Sequence, residues 1–272
     1  MISLQQSVSV QGVPSVLGVQ RRVDIEQLAR VFRRCGRVQI ANFLEPDAAN
    51  AIFDCLSGQS AWSMVFNVQG KHHDADASAL ESWSPEDRHK LLDIIHEQAA
   101  TDFQYCYETL PIYDIYHKSL MKGHFVHTVF EFLNSPGFLS LMRRVTRDSE
   151  IAFADAQATR FRPGHFLTRH DDNVDGKCRR AAYVLNLSRN WSPDWGGILQ
   201  FFGSDGNIDC GFTPAFNTLN LLRVPIEHSV GIVAPFATQN RISITGWLRS
   251  GADPMIAASA KAYHDVERRP LK

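Results

Sequence analysis

The second half of the chain, from about residue 150 to residue 249, is the part that most restricts the fold. Short runs rich in β-branched and aromatic residues are interrupted there by Gly, Pro, Asp and Asn, a pattern that predicts strands separated by turns. The predicted strands cover residues 151–161, 181–187, 198–203, 219–224, 227–233 and 241–249. Strands of this length and spacing are typical of an all-β sandwich or jelly roll.

The first half of the chain has helical periodicity instead. Asp24 can cap a helix over 24–35 whose apolar residues share one face, and Gly36 ends that helix. The sequence also predicts helices from Pro46, through most of 84–110 and over 135–145, extended segments over 36–44 and 62–68, and a polar loop over 69–78. We therefore expect an α+β fold in which N-terminal helices support a jelly-roll core.

Length and composition fit one domain with this organisation. The chain has 272 residues, 44% of them hydrophobic, which is enough to bury one large core. We expect a flexible N-terminal tail over 1–22 and a single domain over 23–272, with helical support in 23–149 and the β core in 150–250. Residues 252–272 are expected to form a helix and a charged tail.

Charge and cysteine content restrict the partners and the compartment. A formal net charge of −1 offers no basic face for nucleic acid. The five cysteines are scattered, with no CxxC pair, which favours a reducing cytoplasm over a disulfide framework or a zinc finger. No apolar run approaches the roughly 20 residues that span a bilayer, and residues 1–20 lack a signal-peptide pattern. The sequence thus predicts a cytoplasmic protein without nucleic-acid or membrane partners and leaves its oligomeric state open.

A candidate metal site lies in the second half. His170 and Asp172 are two residues apart, so on an extended segment their side chains point to the same side. His228 follows in another strand-like stretch. Two histidines and one carboxylate form the facial triad that holds a non-haem Fe(II) and leaves coordination positions open. A second cluster, His72-His73-Asp74, lies in the predicted polar loop and is interpreted as solvated or substrate-side.

A candidate anion site accompanies the metal site. Arg241 and Ser243 alternate with Ile242 and Ile244, which gives this strand one polar and one apolar face. An arginine inside a barrel is costly unless it pairs with an anion. A dicarboxylate that binds the metal by its 2-oxo acid end would bring its far carboxylate to Arg241, with Ser243 as a further donor. Pairing of Arg241 with a protein carboxylate, or a position at the strand end, is the alternative.

These motifs together resemble one enzyme family. The order His170-x-Asp172, Trp195-Gly196-Gly197, His228 and Arg241-x-Ser243 is similar to the prolyl-4-hydroxylase-like branch of the 2-oxoglutarate/Fe(II) dioxygenases, over residues 158–249. The resemblance implies a double-stranded β-helix, iron at the triad and 2-oxoglutarate at Arg241. It also implies O₂ as co-substrate, ascorbate as an optional reductant, and Trp247 in the wall of the substrate pocket.

Two positions depart from the family pattern. Phe161 stands where many members have a tyrosine whose hydroxyl contacts 2-oxoglutarate, and a second usual tyrosine is replaced by Asn186. Asn186 could still donate a hydrogen bond to the same carboxylate. The cofactor prediction is unchanged, whereas the substrate rests on the resemblance alone.

Three functions remain open on the sequence. The first is hydroxylation of an unactivated C–H, on a prolyl residue of a protein or peptide, with the loop over 69–78 as the rim of the substrate groove. The second is hydroxylation of a free amino acid or another small molecule. The third is a non-enzymatic cupin-like binding module, against which Arg241 argues because a structural metal needs no carboxylate anchor.

Overall fold

A computed structural model describes residues 17–20 and 24–257 of the chain. The helices are α1 (Ile25–Cys35), α2 (Pro46–Ser57), α3 (Ala77–Glu81), α4 (Pro85–Ala99), α5 (Ile112–His117), α6 (Val126–Leu133) and α7 (Pro136–Thr146). The strands are β1 (Arg37–Ile40), β2 (Ser63–Val68), β3 (Lys71–Asp76), β4 (Tyr105–Leu110), β5 (Ile151–Ala154), β6 (Gln157–Phe161), β7 (Phe166–His170), β8 (Arg179–Asn186), β9 (Leu199–Phe202), β10 (Ile208–Phe212), β11 (Thr218–Arg223), β12 (His228–Val230) and β13 (Arg241–Ser250).

Local capping sets the ends of the predicted helices. The Asp24 carboxylate accepts a hydrogen bond from the Gln27 N–H at 3.0 Å, and Gly36 ends α1 in the left-handed conformation. Ser135 caps α7 in the same way, with Pro136 at its first position. These ends confirm the helices predicted over 24–35 and 135–145.

The strands form an almost closed barrel. Their order is β1-β11-β8-β13-β6-β4-β7-β12-β9-β10, with antiparallel pairing throughout. The two ends of this path approach each other, because Arg37 of β1 pairs with Asp209 of β10 and lies over the Phe201 ring at 4.7 Å. The predicted jelly-roll, double-stranded β-helix core is therefore confirmed.

The two faces of the β8–β13 sheet have opposite characters. On the outer face Tyr183, Leu185 and Ile244 are buried in the main apolar core together with Phe32 of α1 and Phe138 of α7. On the inner face polar residues line the barrel, among them Thr159, Asn186, Asn220, Arg241 and Ser243. The helices thus hold the sheet from outside, and the inner face is left for polar chemistry.

One element prediction in the first half was wrong and another was incomplete. The predicted polar loop over 69–78 is a hairpin in which β3 pairs with β2 along its whole length. Its residues are nearly all exposed, so an edge strand with no buried face gave no alternating apolar signal. The helix predicted through most of 84–110 is confirmed over Pro85–Ala99, whereas β4, at the centre of the sheet, was not predicted.

Other elements differ in detail from the prediction. The strand predicted over 151–161 is divided into β5 and β6, while α5, α6 and β10 were not predicted. In the predicted tail over 1–22, Leu17 is buried and Val19 pairs with Leu44, so residues 17–20 pack against the domain. The remainder of that tail prediction, and most of the prediction over 252–272, lie outside the described residues.

Candidate active site

Two neighbouring strands bring the two predicted histidine ligands together. His170 ends β7 and His228 begins β12, and the two residues are direct partners in the ladder, with ring centroids 4.1 Å apart. Each Nδ1 lies 2.8–2.9 Å from a main-chain carbonyl two residues earlier, Thr168 for His170 and Ile226 for His228. A carbonyl only accepts, so each Nδ1–H donates and each Nε2 lone pair is left for a metal.

The third predicted ligand reaches the histidines by a turn. Asp172 follows β7 with a φ of +64°, so the expectation that residues 170 and 172 share one face of an extended strand was wrong. Its carboxylate oxygens nevertheless lie 3.5 Å from the His170 Nε2 and 3.4 Å from the His228 Nε2. All three ligand atoms lie within 4.8 Å of one another, a spacing that one metal ion can bridge.

The protonation preferences of this cluster suit a cation. Burial acts to raise the pKa of Asp172, but a hydrogen bond from His170 and the nearby imidazoles lower it on balance. Burial and the neighbouring His170 lower the pKa of His228. A carboxylate and neutral imidazoles are the protonation states that bind metals.

The structure places the predicted anion site deep in the barrel. Arg241 is 2% exposed, and its Nε has no hydrogen-bond partner among the described residues. Burial lowers the pKa of Arg241 to about 10, and no described carboxylate lies within ion-pair distance of this side chain. The alternative that a protein carboxylate neutralises Arg241 therefore finds no support in the described part of the chain.

The Trp195-Gly196-Gly197 motif makes room for this arginine. A Cβ on Gly196 would lie 2.2 Å from the Ile232 carbonyl oxygen, and one on Gly197 would lie 3.1 Å from the Arg241 Cδ. Both glycines also have positive φ angles, so side chains there would be strained. The motif therefore acts through backbone packing beside the anion site.

Ser243 and Asn186 line the same wall as Arg241. They are direct partners across β13 and β8, and both are fully buried. The Ser243 hydroxyl shares a 2.8 Å hydrogen bond with Thr159. The Asn186 amide nitrogen donates to the Thr218 carbonyl at 3.2 Å, and its Oδ1 has no partner among the described residues. Buried polar atoms rarely remain without a hydrogen-bond partner, so these atoms indicate that a polar ligand binds at this wall.

Trp247 lies at the metal end of the cavity. The Arg179 Cζ lies 3.4 Å from the centroid of the Trp247 ring. The Trp247 main-chain N–H donates a hydrogen bond to the Asp155 carboxylate at 2.7 Å. The Arg179 Nη1 donates to the Asp172 main-chain carbonyl at 2.9 Å. The residue predicted to line the substrate pocket is therefore in contact with groups beside the metal ligands.

An aromatic row that runs from Phe103 into β4 was missed from the sequence. Phe103, Tyr105 and Tyr107 follow one another with centroid spacings of 5.6 and 5.8 Å, and Phe103 lies 5.5 Å from the His170 ring. Tyr107 stacks on Phe161 at 5.0 Å and 14°, and burial raises the pKa of Tyr107. The period of two in these aromatic residues is the signal that predicts a strand.

The second His/Asp cluster lies apart from the triad of His170, Asp172 and His228. His72, His73 and Asp74 lie on exposed β3, and the His72 Nδ1 is 2.6 Å from the Tyr105 hydroxyl. The cluster is thus solvated and sits at the rim of the aromatic row, which matches the interpretation from sequence.

Comparison with known proteins agrees with this geometry. Residues 156–249 match the family model of the 2OG-Fe(II) oxygenase superfamily. The chain is 26% identical over 147 residues to prolyl 3-hydroxylase sudestada1 of Drosophila melanogaster and 34% identical over 88 residues to prolyl 3-hydroxylase OGFOD1 of Mus musculus. These alignments cover 46% and 30% of this chain, but only 27% and 16% of those relatives.

Solved structures share the fold. A Pseudomonas putida prolyl-4-hydroxylase superposes with a TM-score of 0.51 at 16% identity, over 84% of this chain and 100% of its own. A 2OG-Fe(II) oxygenase family oxidoreductase from Burkholderia pseudomallei gives 0.54 at 15%, over 85% and 94%. At this identity the superpositions show the shared fold, and the family-model match over residues 156–249 agrees with the resemblance stated from the sequence motifs.

Proposed function

We propose that this chain, whose residues 156–249 match the 2OG-Fe(II) oxygenase superfamily, is an Fe(II)- and 2-oxoglutarate-dependent oxygenase that hydroxylates an unactivated C–H. The observation that carries the proposal is Arg241, a buried guanidinium without an anionic partner among the described residues, on the inner wall of the barrel that also holds the triad. A structural metal site would have no need of that cation, whereas a metal-bound dicarboxylate would neutralise it.

The triad fits an iron ion by its donor set. His170 and His228 would contribute Nε2 atoms, each fixed by the hydrogen bond of its Nδ1–H, and Asp172 would contribute a carboxylate oxygen. With three protein ligands on one side, the remaining positions of the ion would be open to small molecules. Iron, 2-oxoglutarate and O₂ would together supply the oxidising chemistry that converts C–H to C–OH.

The inner wall fits 2-oxoglutarate by charge and by hydrogen-bonding capacity. Arg241 would bind the far carboxylate, and the Ser243 hydroxyl can turn from Thr159 to donate to it. The Asn186 amide nitrogen has a second N–H besides the one donated to the Thr218 carbonyl, and this N–H could be donated to the same carboxylate. These residues orient the co-substrate and exclude water, and no protein general base is required.

For the substrate, we propose a prolyl residue of a protein or peptide. The support comes from the relatives, which are named prolyl 3-hydroxylases and prolyl-4-hydroxylases, and from the aromatic row on β4. Phe103, at the outer end of that row beside His170, is 49% exposed, and aromatic rings are the usual surface for proline-rich segments. The hairpin of β2 and β3 forms one side of this rim.

We propose a reducing cytoplasm as the setting, with ascorbate as an optional reductant. All five cysteines are free thiols in the structure, which agrees with a compartment where disulfides do not persist. Separately, the described residues contain no helix with the length and apolarity of a membrane span.

Succinate formation tests the proposed activity. The protein is loaded with Fe(II) and 2-oxoglutarate in air, with a proline-containing peptide, the same peptide with alanine for proline, or free proline. We expect succinate and a hydroxylated product with the prolyl peptide alone. Turnover with free proline would favour the small-molecule hydroxylase, and a folded, iron-loaded protein that forms no succinate with any of them would contradict the peptide hydroxylase.

A further inference from the structure

Asp172 occupies a backbone conformation that needs support. It lies beyond the last residue of β7 with a φ of +64°, in the left-handed region that non-glycine residues seldom occupy. Such conformations cost on the order of 1–3 kcal/mol and persist where surrounding contacts hold them. From this left-handed turn the Asp172 carboxylate lies 3.5 Å from the His170 Nε2 and 3.4 Å from the His228 Nε2. The left-handed turn is therefore part of how the triad is assembled.

Arg179 makes the contact that holds this turn. Its Nη1 donates a 2.9 Å hydrogen bond to the main-chain carbonyl of Asp172. The guanidinium itself is fixed, because its Cζ lies 3.4 Å from the centroid of the Trp247 ring. A planar guanidinium stacked on an indole has little freedom to turn, so its N–H groups keep one direction.

Two adjacent strands supply the support behind this contact. Arg179 begins β8 and Trp247 lies on β13, and these strands are paired through Arg249↔Arg179 and Trp247↔Ala182. The Trp247 main-chain N–H donates to the buried Asp155 carboxylate at 2.7 Å. The loop that carries Asp172 is thereby tied to β8 and β13, which pair with each other over most of their length.

From this arrangement we infer that Arg179 is a positioning residue for the metal site: it holds the Asp172 backbone in the turn that directs its carboxylate to His170 and His228. The inference rests on the proposed metal site and extends it to a residue that contacts none of the ligand side-chain atoms. Arg179 would therefore affect the affinity and geometry of the bound metal before any co-substrate or substrate is present.

Metal binding to the apo protein tests the inference without turnover. Mn(II), which binds the same donor set, is titrated into wild type, Arg179→Met and Arg179→Lys under anaerobic conditions and followed by electron paramagnetic resonance. Arg180→Met is the matched control, because it removes the neighbouring charge but its side chain pairs outward with Asp148 and Glu150. Thermal unfolding of each apo variant is measured in parallel.

We expect Arg179→Met to weaken Mn(II) binding by about 10- to 100-fold and to broaden the spectrum of the bound ion, which is the range for losing a partner of a metal ligand. Arg179→Lys keeps one donor and should recover part of the affinity, while Arg180→Met should bind like wild type. The unfolding temperature shows whether Arg179→Met is generally destabilised, and the changed spectrum of the bound ion separates a displaced Asp172 from such a defect.

Two outcomes would overturn the inference, and they are distinguishable. If wild type binds Mn(II) and Arg179→Met binds it within about twofold, Arg179 does not position Asp172. An increase in peptide KM with unchanged Mn(II) affinity belongs to this outcome and would make Arg179 a substrate contact. If folded wild type binds no Mn(II), the proposed metal site fails and the inference fails with it.

Discussion

The two ends of the polar inner wall of the barrel differ in whether their charged side chains already have partners within the protein. At the metal end, Asp172 lies within 3.5 Å of both histidines, and each imidazole is oriented by a main-chain carbonyl. At the other end, Arg241 is more deeply buried than His170 and Asp172 but has no ion-pair partner in the described residues. The metal end is thus organised before any ligand binds, while the stability of the anion end depends on its ligand.

The contrast gives opposite expectations for mutations at the two ends. Removal of a metal ligand should destroy function and leave the rest of the fold with little change. Removal of the unpaired arginine should impair binding of the anion and relieve the ligand-free protein of a costly buried charge.

The largest effect is expected for Asp172→Ala. Loss of this ligand should reduce iron-dependent succinate formation below detection, because it leaves two histidines that cannot hold the ion in a facial site. Asp171→Ala is the matched control, since this neighbouring carboxylate caps the Asn173 N–H at 2.9 Å and contacts neither histidine. Equal loss in both variants, measured with the prolyl peptide, would contradict the placement of the triad.

The second effect is expected for Arg241→Met. Without the guanidinium, the dissociation constant for 2-oxoglutarate should rise by about 100-fold or more, as for other buried charge-assisted contacts. The free energy of unfolding of the ligand-free protein should rise by about 1 kcal/mol or more, because an unpaired buried charge is replaced by an apolar side chain. Calorimetric titration and chemical denaturation measure the two quantities.

Arg160→Met is the control for the predicted increase in the free energy of unfolding. Arg160 pairs with Glu108, whose side chain is 5% exposed, so its removal weakens a satisfied buried pair and should lower the free energy of unfolding by about 2 kcal/mol. If both arginine variants destabilise the ligand-free protein alike, Arg241 has a neutralising partner in the free state and the contrast between the two ends is wrong.

The third effect concerns how the stability of the protein depends on pH through His165. His165 accepts the Val233 N–H at its main-chain carbonyl, and burial together with the Arg162 charge lowers the pKa of its imidazole to about 4. As the pH falls, His165 is therefore protonated in the unfolded chain at a higher pH than in the folded protein, which favours unfolding. Stability should be complete above pH 6.5 and should decrease by up to about 3 kcal/mol towards pH 4. Denaturation midpoints across this range should depend less on pH in His165→Gln; an unchanged dependence would contradict a buried neutral imidazole.

The smallest effect is expected for Ser243→Ala. One hydroxyl donor to the co-substrate is worth about 1 kcal/mol, so the dissociation constant for 2-oxoglutarate should rise by about 5- to 10-fold while metal binding stays unchanged. Spectroscopic titration of each ligand separates the two. A change in metal affinity would mean that the two ends of the cavity are more strongly coupled than the structure indicates.

Side-chain chemistry and strand period were sufficient to predict much of the site. The alternation of Arg241 and Ser243 with Ile242 and Ile244 placed the polar pair inside the barrel and the isoleucines in the core, as the structure has them. The spacing of His170 and Asp172 also predicted their proximity. It did so for the wrong reason, because the turn at Asp172 depends on Arg179, which is brought there by β8 and β13.

Long-range pairing explains what the sequence left out. β3 has no buried face, so it gave no alternating apolar pattern. In β4 the period of two in Tyr105 and Tyr107 was present, but the helical stretch of α4 shortly before it hid this signal. Tyr107 and Phe161 are 54 positions apart, and only the pairing of β4 with β6 brings their rings together. Contacts of this kind are set by sheet topology and not by local propensity.

The most direct test of the central claim is anaerobic titration of the purified protein with Fe(II) and 2-oxoglutarate, followed by visible absorption. A 2-oxo acid chelated to Fe(II) gives a charge-transfer band at roughly 500–530 nm. We predict this band in wild type, its loss in His170→Ala, and its appearance at much higher 2-oxoglutarate concentrations in Arg241→Met. A folded, iron-loaded wild-type protein that shows no band at saturating 2-oxoglutarate would contradict the claim that Arg241 and the triad hold one shared ligand.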